Sequence, residues 1–158
     1  HTMAQRADHF LKPAPGTAEE LTRKVIAQLN AADMADRAVL ASLSPEVIER
    51  VKTIDDDIRT TLFLQFVLPG ALNTTDADII GLRHTQATPS LLRTIHDTGR
   101  EVAVWTVNGI GDMSRYIDMG VDNIITDRPD ALTGILEERR EMSDGELLLV
   151  KLRNWIRT

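Results

Sequence analysis

One stretch decides the fold of this chain: residues 102–129, VAVWTVNGIGDMSRYIDMGVDNIITDRP. The β-branched and aromatic run Val102–Thr106 predicts a strand, and Asn123–Thr126 predicts a second one. Between them Asp112–Met119 has helical spacing, and Gly120 is a typical helix stop. Two strands joined by a single helix predict a parallel βαβ unit.

The polar residues of this unit follow its two strands. In folds of this type, ligands lie at the carboxyl ends of the strands. Six residues are therefore placed to meet a ligand: Thr106, Val107, Asn108, Thr126, Asp127 and Arg128.

Composition excludes several classes of protein. At 158 residues the length predicts one domain. The net charge of −6, with acids dispersed along the chain, argues against nucleic acid as the main partner and gives no polybasic membrane signature. No Cys is present, so disulfides, thiolate metal sites and a cysteine nucleophile are excluded. The apolar runs Leu62–Leu68 and Leu147–Val150 are far shorter than the ~20 residues of a membrane span. We expect a soluble chain and leave its compartment open.

Strands and helices alternate along the rest of the chain. Three more runs predict strands: Val39–Ser42, Thr60–Phe66 and Ile79–Leu82. Helices are predicted to begin at the capping residues Thr17 (with Glu20), Ser44-Pro45, Thr88-Pro89 and Ser143 (with Glu146), and one more covers Asp130–Arg140. This alternation predicts an α/β fold with a parallel sheet.

The order of motifs resembles the later part of the glycerophosphodiester phosphodiesterase family, and its membrane-anchored branch is most similar. The most specific parts are VWTVN at Val104–Asn108 and GVDNIITDRP at Gly120–Pro129. The similarity also includes LKP at residues 11–13 and VLASLSPEVIERVK at 39–52. It implies an incomplete TIM-barrel type of α/β fold, with strands that correspond to about the third to eighth of a (β/α)₈ barrel. Residues 1–9 are then an N-terminal segment or the remnant of an expression tag, 10–142 a partial barrel domain, and 143–158 an amphipathic helix.

The resemblance implies hydrolysis of glycerophosphodiesters to an alcohol and glycerol 3-phosphate with a divalent cation, Ca²⁺ or Mg²⁺. The family's HRG motif, the Glu after it, its ELD-type strand and its HD motif have no match here. The usual Glu-Leu-Lys triplet reads Phe10-Leu11-Lys12, so a phenyl ring replaces a metal-ligand carboxylate. We expect no metal site on these residues and no turnover from this chain alone. The alternative is a non-catalytic, truncated or degenerate module for assembly or for binding a glycerophosphate-like ligand.

Four residues are candidates for substrate binding. By family resemblance Lys12 is a phosphate-side cation and Trp105 stacks on the glycerol moiety; each could instead be structural, Lys12 as a solvated side chain and Trp105 as barrel filling. Gln65 ends a strand on the ligand side and could be a pocket group or a satisfied core amide. Asn108 could contact the ligand, although capping of its loop is the simpler interpretation.

For the histidines and the remaining acids, a structural role is the simpler interpretation. Asp127-Arg128 fits loop capping and helix entry, with a ligand contact as the alternative. His84, just past a strand end, is on the correct face for acid/base work, but it has no partner histidine and a solvated side chain is the simpler interpretation. His96 falls inside a helix. The Asp55-Asp56-Asp57 cluster precedes a strand, as do Asp76 and Asp78, which places them at the face opposite a barrel's active site.

A barrel of about 250 residues closes its own sheet, whereas this chain supplies about five strands and a stub. We hypothesise that a second copy, the N-terminal segment or a missing part of the natural protein closes the gap. The sequence also allows this chain to be the soluble domain of a membrane-anchored protein.

Overall fold

The computed structural model describes residues 8–10, 18–67, 70, 72 and 75–156. Within them six strands form one sheet, in which all neighbours are parallel and spatial order follows chain order. In this part of the chain β6 does not pair with β1, so the sheet stays open. The strands are β1 (Asp8–Phe10), β2 (Val39–Ser42), β3 (Arg59–Leu64), β4 (Ile79–Arg83), β5 (Glu101–Trp105) and β6 (Asn123–Ile124).

Helices follow the strands as the sequence predicts. They are α1 (Ala18–Ala31), α2 (Pro45–Ile54), α3 (Pro89–His96), α4 (Ile110–Asp118), α5 (Pro129–Glu141) and α6 (Asp144–Ile156). A short 3₁₀ turn, His84–Gln86, links β4 to α3. No helix in the described ranges is long and apolar enough to cross a membrane.

Strand side chains alternate between two faces of the sheet. Leu40 packs with residues of α1 and α2, and Ile80 and Val102 pack in a larger core with residues of α2 to α5. Their neighbours Ile79 and Ala103 belong to a separate apolar cluster on the other face. In the described ranges, helices therefore cover one face only, which is the layering of a barrel wall and differs from a doubly wound sheet.

Two predicted strands are shorter in the structure. Strand β3 ends at Leu64, before the predicted Phe66, because the Gln65 carbonyl turns to accept a hydrogen bond from Gln86 Nε2 at 2.7 Å. Strand β6 ends at Ile124, before the predicted Thr126, whose hydroxyl donates to Asn108 Oδ1 at 3.0 Å. Ile125 still bonds to the backbone after β6 ends, since its N–H donates to the Val104 carbonyl at 2.9 Å and its carbonyl accepts from the Val107 N–H at 2.9 Å.

The predicted helix caps have different outcomes. Thr88 caps α3, since its hydroxyl oxygen accepts from the Leu91 N–H at 3.2 Å. Ser44 is the N-cap residue and α2 begins at Pro45, as predicted, but the Ser44 side chain makes no capping hydrogen bond. The Ser44 carbonyl accepts from the Val47 N–H at 3.2 Å instead. Glu146 accepts from the Ser143 N–H at 2.9 Å, as a capping box predicts. Thr17 lies outside the described residues.

Helix α6 is fixed to the body by a polar network. Asn154 Nδ2 donates to Ser114 Oγ at 3.0 Å and to Asp118 Oδ2. Arg139 of α5 joins the same groups, donating to Asp118 Oδ1 at 2.7 Å and to Ser114 Oγ at 2.7 Å. Asn154 is the buried residue of α6, so the helix docks through an amide.

Candidate functional site

Trp105 lies at the carboxyl edge of the sheet. It is the last residue of β5 and lies on the face that the helices leave uncovered, two residues after Ala103. Phe63 of β3 meets it edge to face, with ring centroids 5.7 Å apart and an interplanar angle of 81°. The Trp105 Nε1–H is buried and has no hydrogen-bond acceptor among the residues that the structure describes.

Arg83 pairs with Trp105 in the parallel register of β4 and β5. Its guanidinium carbon lies 5.4 Å from the centroid of the Trp105 ring, a cation–π distance. Arg83 is exposed and forms no ion pair with an acid in the described ranges. The edge thus presents a cation that lies over an aromatic ring.

Gly81 makes the Phe63–Trp105 contact possible. A Cβ at Gly81 would lie 2.2 Å from Phe63 Cδ1, well inside van der Waals contact. The Phe63 ring therefore lies directly over the backbone of β4. A glycine in this strand allows the close approach, and the ring fills the space that a side chain would occupy.

Asn108 joins the loops after β5 and β6. Its Oδ1 accepts from the Asp127 N–H at 2.9 Å and from the Thr126 hydroxyl at 3.0 Å. Its Nδ2 donates to Asp127 Oδ2 at 2.9 Å. Thr126 Oγ1 in turn accepts from the Arg128 N–H at 2.9 Å, one residue before α5. The structure therefore gives Asn108, Asp127 and Arg128 the loop-capping and helix-entry contacts that the sequence favours.

His84 is held beside Tyr116. The Tyr116 hydroxyl donates to the His84 carbonyl at 2.6 Å and lies 3.4 Å from His84 Nδ1. Burial raises the pKa of the Tyr116 hydroxyl, although the Arg115 guanidinium acts in the opposite direction. This hydroxyl is therefore a neutral donor at ordinary pH. His96 lies elsewhere, at the end of α3, where its Nε2 is 2.8 Å from Asp122 Oδ2.

Gln65 is exposed directly after β3. Its backbone carbonyl accepts from Gln86 Nε2, whose companion atom Oε1 is buried without a donor in the described part of the chain. Gln65 and Gln86 thus add amide groups to the edge that carries Trp105. Lys12 lies outside the described residues.

Within the described residues, the acids do not gather into a cation site. Asp78 binds Lys52 Nζ at 3.0 Å and accepts from the Thr60 N–H at 2.7 Å. Burial alone would raise the Asp78 pKa, but the hydrogen bonds from Lys52 and Thr60 hold it below its ordinary value. Asp55 accepts from the Asp57 N–H at 3.2 Å in an exposed turn. Among the described residues no group of three or more His, Asp or Glu could hold a metal, so these residues do not fit the family's cation.

Comparison with known proteins gives the family. The model of the glycerophosphoryl diester phosphodiesterase family matches residues 11–131. The chain belongs to this family. It is 46% identical over 54 residues to a probable glycerophosphodiester phosphodiesterase of Mycobacterium tuberculosis, and 31% identical over 64 residues to a glycerophosphodiester phosphodiesterase of Arabidopsis thaliana. These matches cover 34% and 40% of the chain, but 20% of each relative.

Solved structures of this family have the same fold. A putative family member from Silicibacter pomeroyi matches with a TM-score of 0.73 at 26% identity, over 82% of this chain and 49% of that one. A phosphodiesterase from Oleispira antarctica, solved with the product sn-glycerol-3-phosphate, matches with a TM-score of 0.72 at 16% identity, over 81% and 53%. The predicted incomplete TIM-barrel type is confirmed. The chain spans about half the length of these solved relatives.

Sequence reasoning missed Arg83. A lone arginine at the end of a strand is usually a solvated side chain. One signal was available, since Arg83 lies two residues after Gly81 on the same strand face. Its pairing with Trp105 is seen only in the structure.

Proposed function

We propose that the protein acts in the hydrolysis of glycerophosphodiesters, and that this chain supplies the surface that holds the glycerophosphate moiety. The observation that carries the proposal is the buried Trp105 Nε1–H, which meets no acceptor in the described part of the chain. A buried donor without a partner is costly, and a ligand oxygen at the carboxyl edge would satisfy it. The indole ring would then lie against the carbons of glycerol.

The position of Arg83 also supports binding of the glycerophosphate moiety beside Trp105. Its guanidinium lies over the Trp105 ring and forms no ion pair with an acid of the described ranges. A guanidinium forms strong, charge-assisted hydrogen bonds to phosphate oxygens. Lys12 would add a second cation by its match to the family's Glu-Leu-Lys triplet.

The two amides have secondary roles in this proposal. Gln65 exposes its side chain at the end of β3 and could reach the glycerol hydroxyls. Asn108 keeps one Nδ2 hydrogen for a ligand, because its other polar contacts hold Thr126 and Asp127. Its main effect would be to position the loop beside Trp105.

Hydrolysis needs more than binding. A water molecule must attack phosphorus while the alcohol oxygen leaves with a proton, and a cation must screen the phosphate charge. The described residues contain neither a cation cluster nor a pair of adjacent histidines, and Phe10 replaces the family's Glu. We therefore expect the 158-residue chain to bind and not to turn over substrate. The same observation favours the alternative of a non-catalytic, ligand-binding module.

Turnover distinguishes these possibilities. Glycerophosphocholine would be incubated with the chain in Ca²⁺ or Mg²⁺, and released choline and sn-glycerol 3-phosphate would be measured. The expected result is no release above a protein-free control, even where binding is detectable. Release that the Trp105→Ala variant loses would contradict the expectation and assign catalysis to this chain.

The open sheet leaves β1 and β6 each with one neighbour in the described residues. Closure by a second copy, by the N-terminal segment or by a further part of the natural protein stays a proposal. Light scattering addresses the first option, because a strictly monomeric mass without aggregation would argue against it.

A further inference from the structure

Helix α6 turns its apolar side to solvent. Five large apolar residues of this helix are between 50% and 76% exposed: Leu148, Leu149, Leu152, Trp155 and Ile156. At 3.6 residues per turn, they fall within about a third of the helix circumference. We call these five residues the α6 stripe. An amphipathic helix usually turns such a stripe to the core, so its exposure here is unusual.

The opposite side of α6 makes the contact with the body. Asn154 is buried there and binds Ser114 and Asp118, while Leu147 and Val150 are partly buried. The Arg139–Asp118 ion pair, 2.7 Å long and nearly buried, fixes the same junction. The orientation of the stripe is therefore set by a specific polar network.

Basic side chains flank the stripe on both sides. Helical geometry places Lys151 on one flank and Arg153 on the other, and both are exposed. The acids of α6, Asp144 and Glu146, lie in its first turn, and Glu146 is engaged by Ser143. In the last two turns of α6, the charged residues beside the apolar stripe are therefore both basic.

We infer that the α6 stripe lies in the interface of a membrane whose surface carries anionic phospholipids. An apolar stripe between basic flanks is the arrangement of interfacial helices, in which Lys and Arg reach the headgroups while Leu, Ile and Trp enter the acyl boundary. The flanking charges favour a lipid surface over a second copy of α6, because pairing two stripes would bring like charges together. None of these α6 residues lies at the carboxyl edge of the sheet.

Vesicle flotation tests the inference on the intact chain. The protein would be mixed with vesicles of phosphatidylcholine alone, or of phosphatidylcholine and phosphatidylglycerol in equal parts. We expect binding to the anionic vesicles, weakened by salt, and much weaker binding to neutral ones. The double variant Leu149→Glu with Leu152→Glu should reduce partition at least about tenfold. Lys151→Gln with Arg153→Gln should reduce it by about tenfold on anionic vesicles alone.

Matched control variants carry the same kinds of substitution outside α6. Phe66→Glu with Ile110→Glu replaces two exposed apolar residues outside α6, and Lys24→Gln with Arg93→Gln removes two exposed basic ones. Both controls should bind as the parent does, and circular dichroism should be unchanged in every variant. Three outcomes would overturn the inference: no binding by the parent, equal loss in the controls, or a dimer without lipid that the Leu149→Glu and Leu152→Glu variant dissociates.

Discussion

Asn108 and Asp127 connect the carboxyl ends of β5 and β6 through two hydrogen bonds of 2.9 Å. The Asn108 Oδ1 accepts from the Asp127 N–H, and its Nδ2 donates to Asp127 Oδ2. One amide side chain thereby fixes the loop beside Trp105 relative to the entry of α5. The two family motifs thus meet in this contact, since VWTVN supplies Asn108 and GVDNIITDRP supplies Asp127.

Replacing Asn108 by Ala should destabilise the fold. Both hydrogen bonds to Asp127 and the one from Thr126 are lost, and each is worth about 0.5–1.5 kcal/mol, less where water can substitute. We expect the free energy of unfolding to fall by about 1–2 kcal/mol in urea titrations. Asn30→Ala, on an exposed position of α1, is the control and should not destabilise. An unchanged midpoint in Asn108→Ala would show that the loops do not depend on this junction.

Gly81→Ala should disturb the aromatic pair. The new Cβ would lie 2.2 Å from Phe63 Cδ1, so the ring must move, and Phe63 is buried against Trp105. Overpacking of this kind costs about 1–3 kcal/mol. The fluorescence of Trp105 should also change, because the Phe63 ring that packs against it moves. Gly134→Ala in α5 is the matched control, because no atom lies within 4 Å of its Cβ and a helical Ala should stabilise by about 0.5–1 kcal/mol. Equal changes in the free energy of unfolding for Gly81→Ala and Gly134→Ala would contradict the close packing of Phe63 over Gly81.

Asp118 should make stability depend on pH. Burial alone would raise its pKa, but hydrogen bonds from Arg139 and Asn154 hold the pKa below its ordinary value of 3.8. A lowered acid pKa gives stability that is complete above the unfolded value and is lost as pH falls below it. Asp118→Asn should therefore be less stable than the parent at neutral pH, and the difference should narrow below about pH 3.9. Urea titrations at several pH values measure this difference.

A double-mutant cycle separates the ion pair from general effects of substitution. Asp118→Asn and Arg139→Gln should be coupled by about 0.5–3 kcal/mol at neutral pH, because their side chains are 2.7 Å apart and nearly buried. The coupling should shrink in acid. A coupling that is independent of pH would contradict the role given to the Asp118 charge.

The sequence predicts the alternation of the fold well because apolar patterning and capping residues are local. Val39–Ser42 is reproduced to the residue, and Thr88 caps its helix. The predicted ends of β3 and β6 were wrong, since Gln86 and Asn108, distant in sequence, bind Gln65 and Thr126 at the carboxyl edge. Ser44 precedes α2 without a side-chain capping bond, because the Val47 N–H that such a bond would use donates to the Ser44 carbonyl.

The site was predictable only in part. Trp105 and Asn108 stand in family motifs, so the sequence places them at the carboxyl edge. The importance of Arg83 depends on the parallel register that brings it over Trp105, and that register is a tertiary feature. The exposed orientation of the α6 stripe was equally hidden, because it depends on Asn154 binding Ser114 and Asp118.

The most direct test of the account is a titration of the ¹⁵N-labelled chain with sn-glycerol 3-phosphate, followed through the indole N–H resonances. The chain has two tryptophans, so Trp155 on α6 is an internal control for Trp105, and Trp105→Phe assigns the peaks. The account predicts a saturable shift of the Trp105 resonance alone, with affinity reduced about tenfold in Arg83→Gln and unchanged in Arg93→Gln. A Trp105 resonance that does not move at saturating ligand, or an Arg83→Gln variant that binds as the parent does, would contradict it.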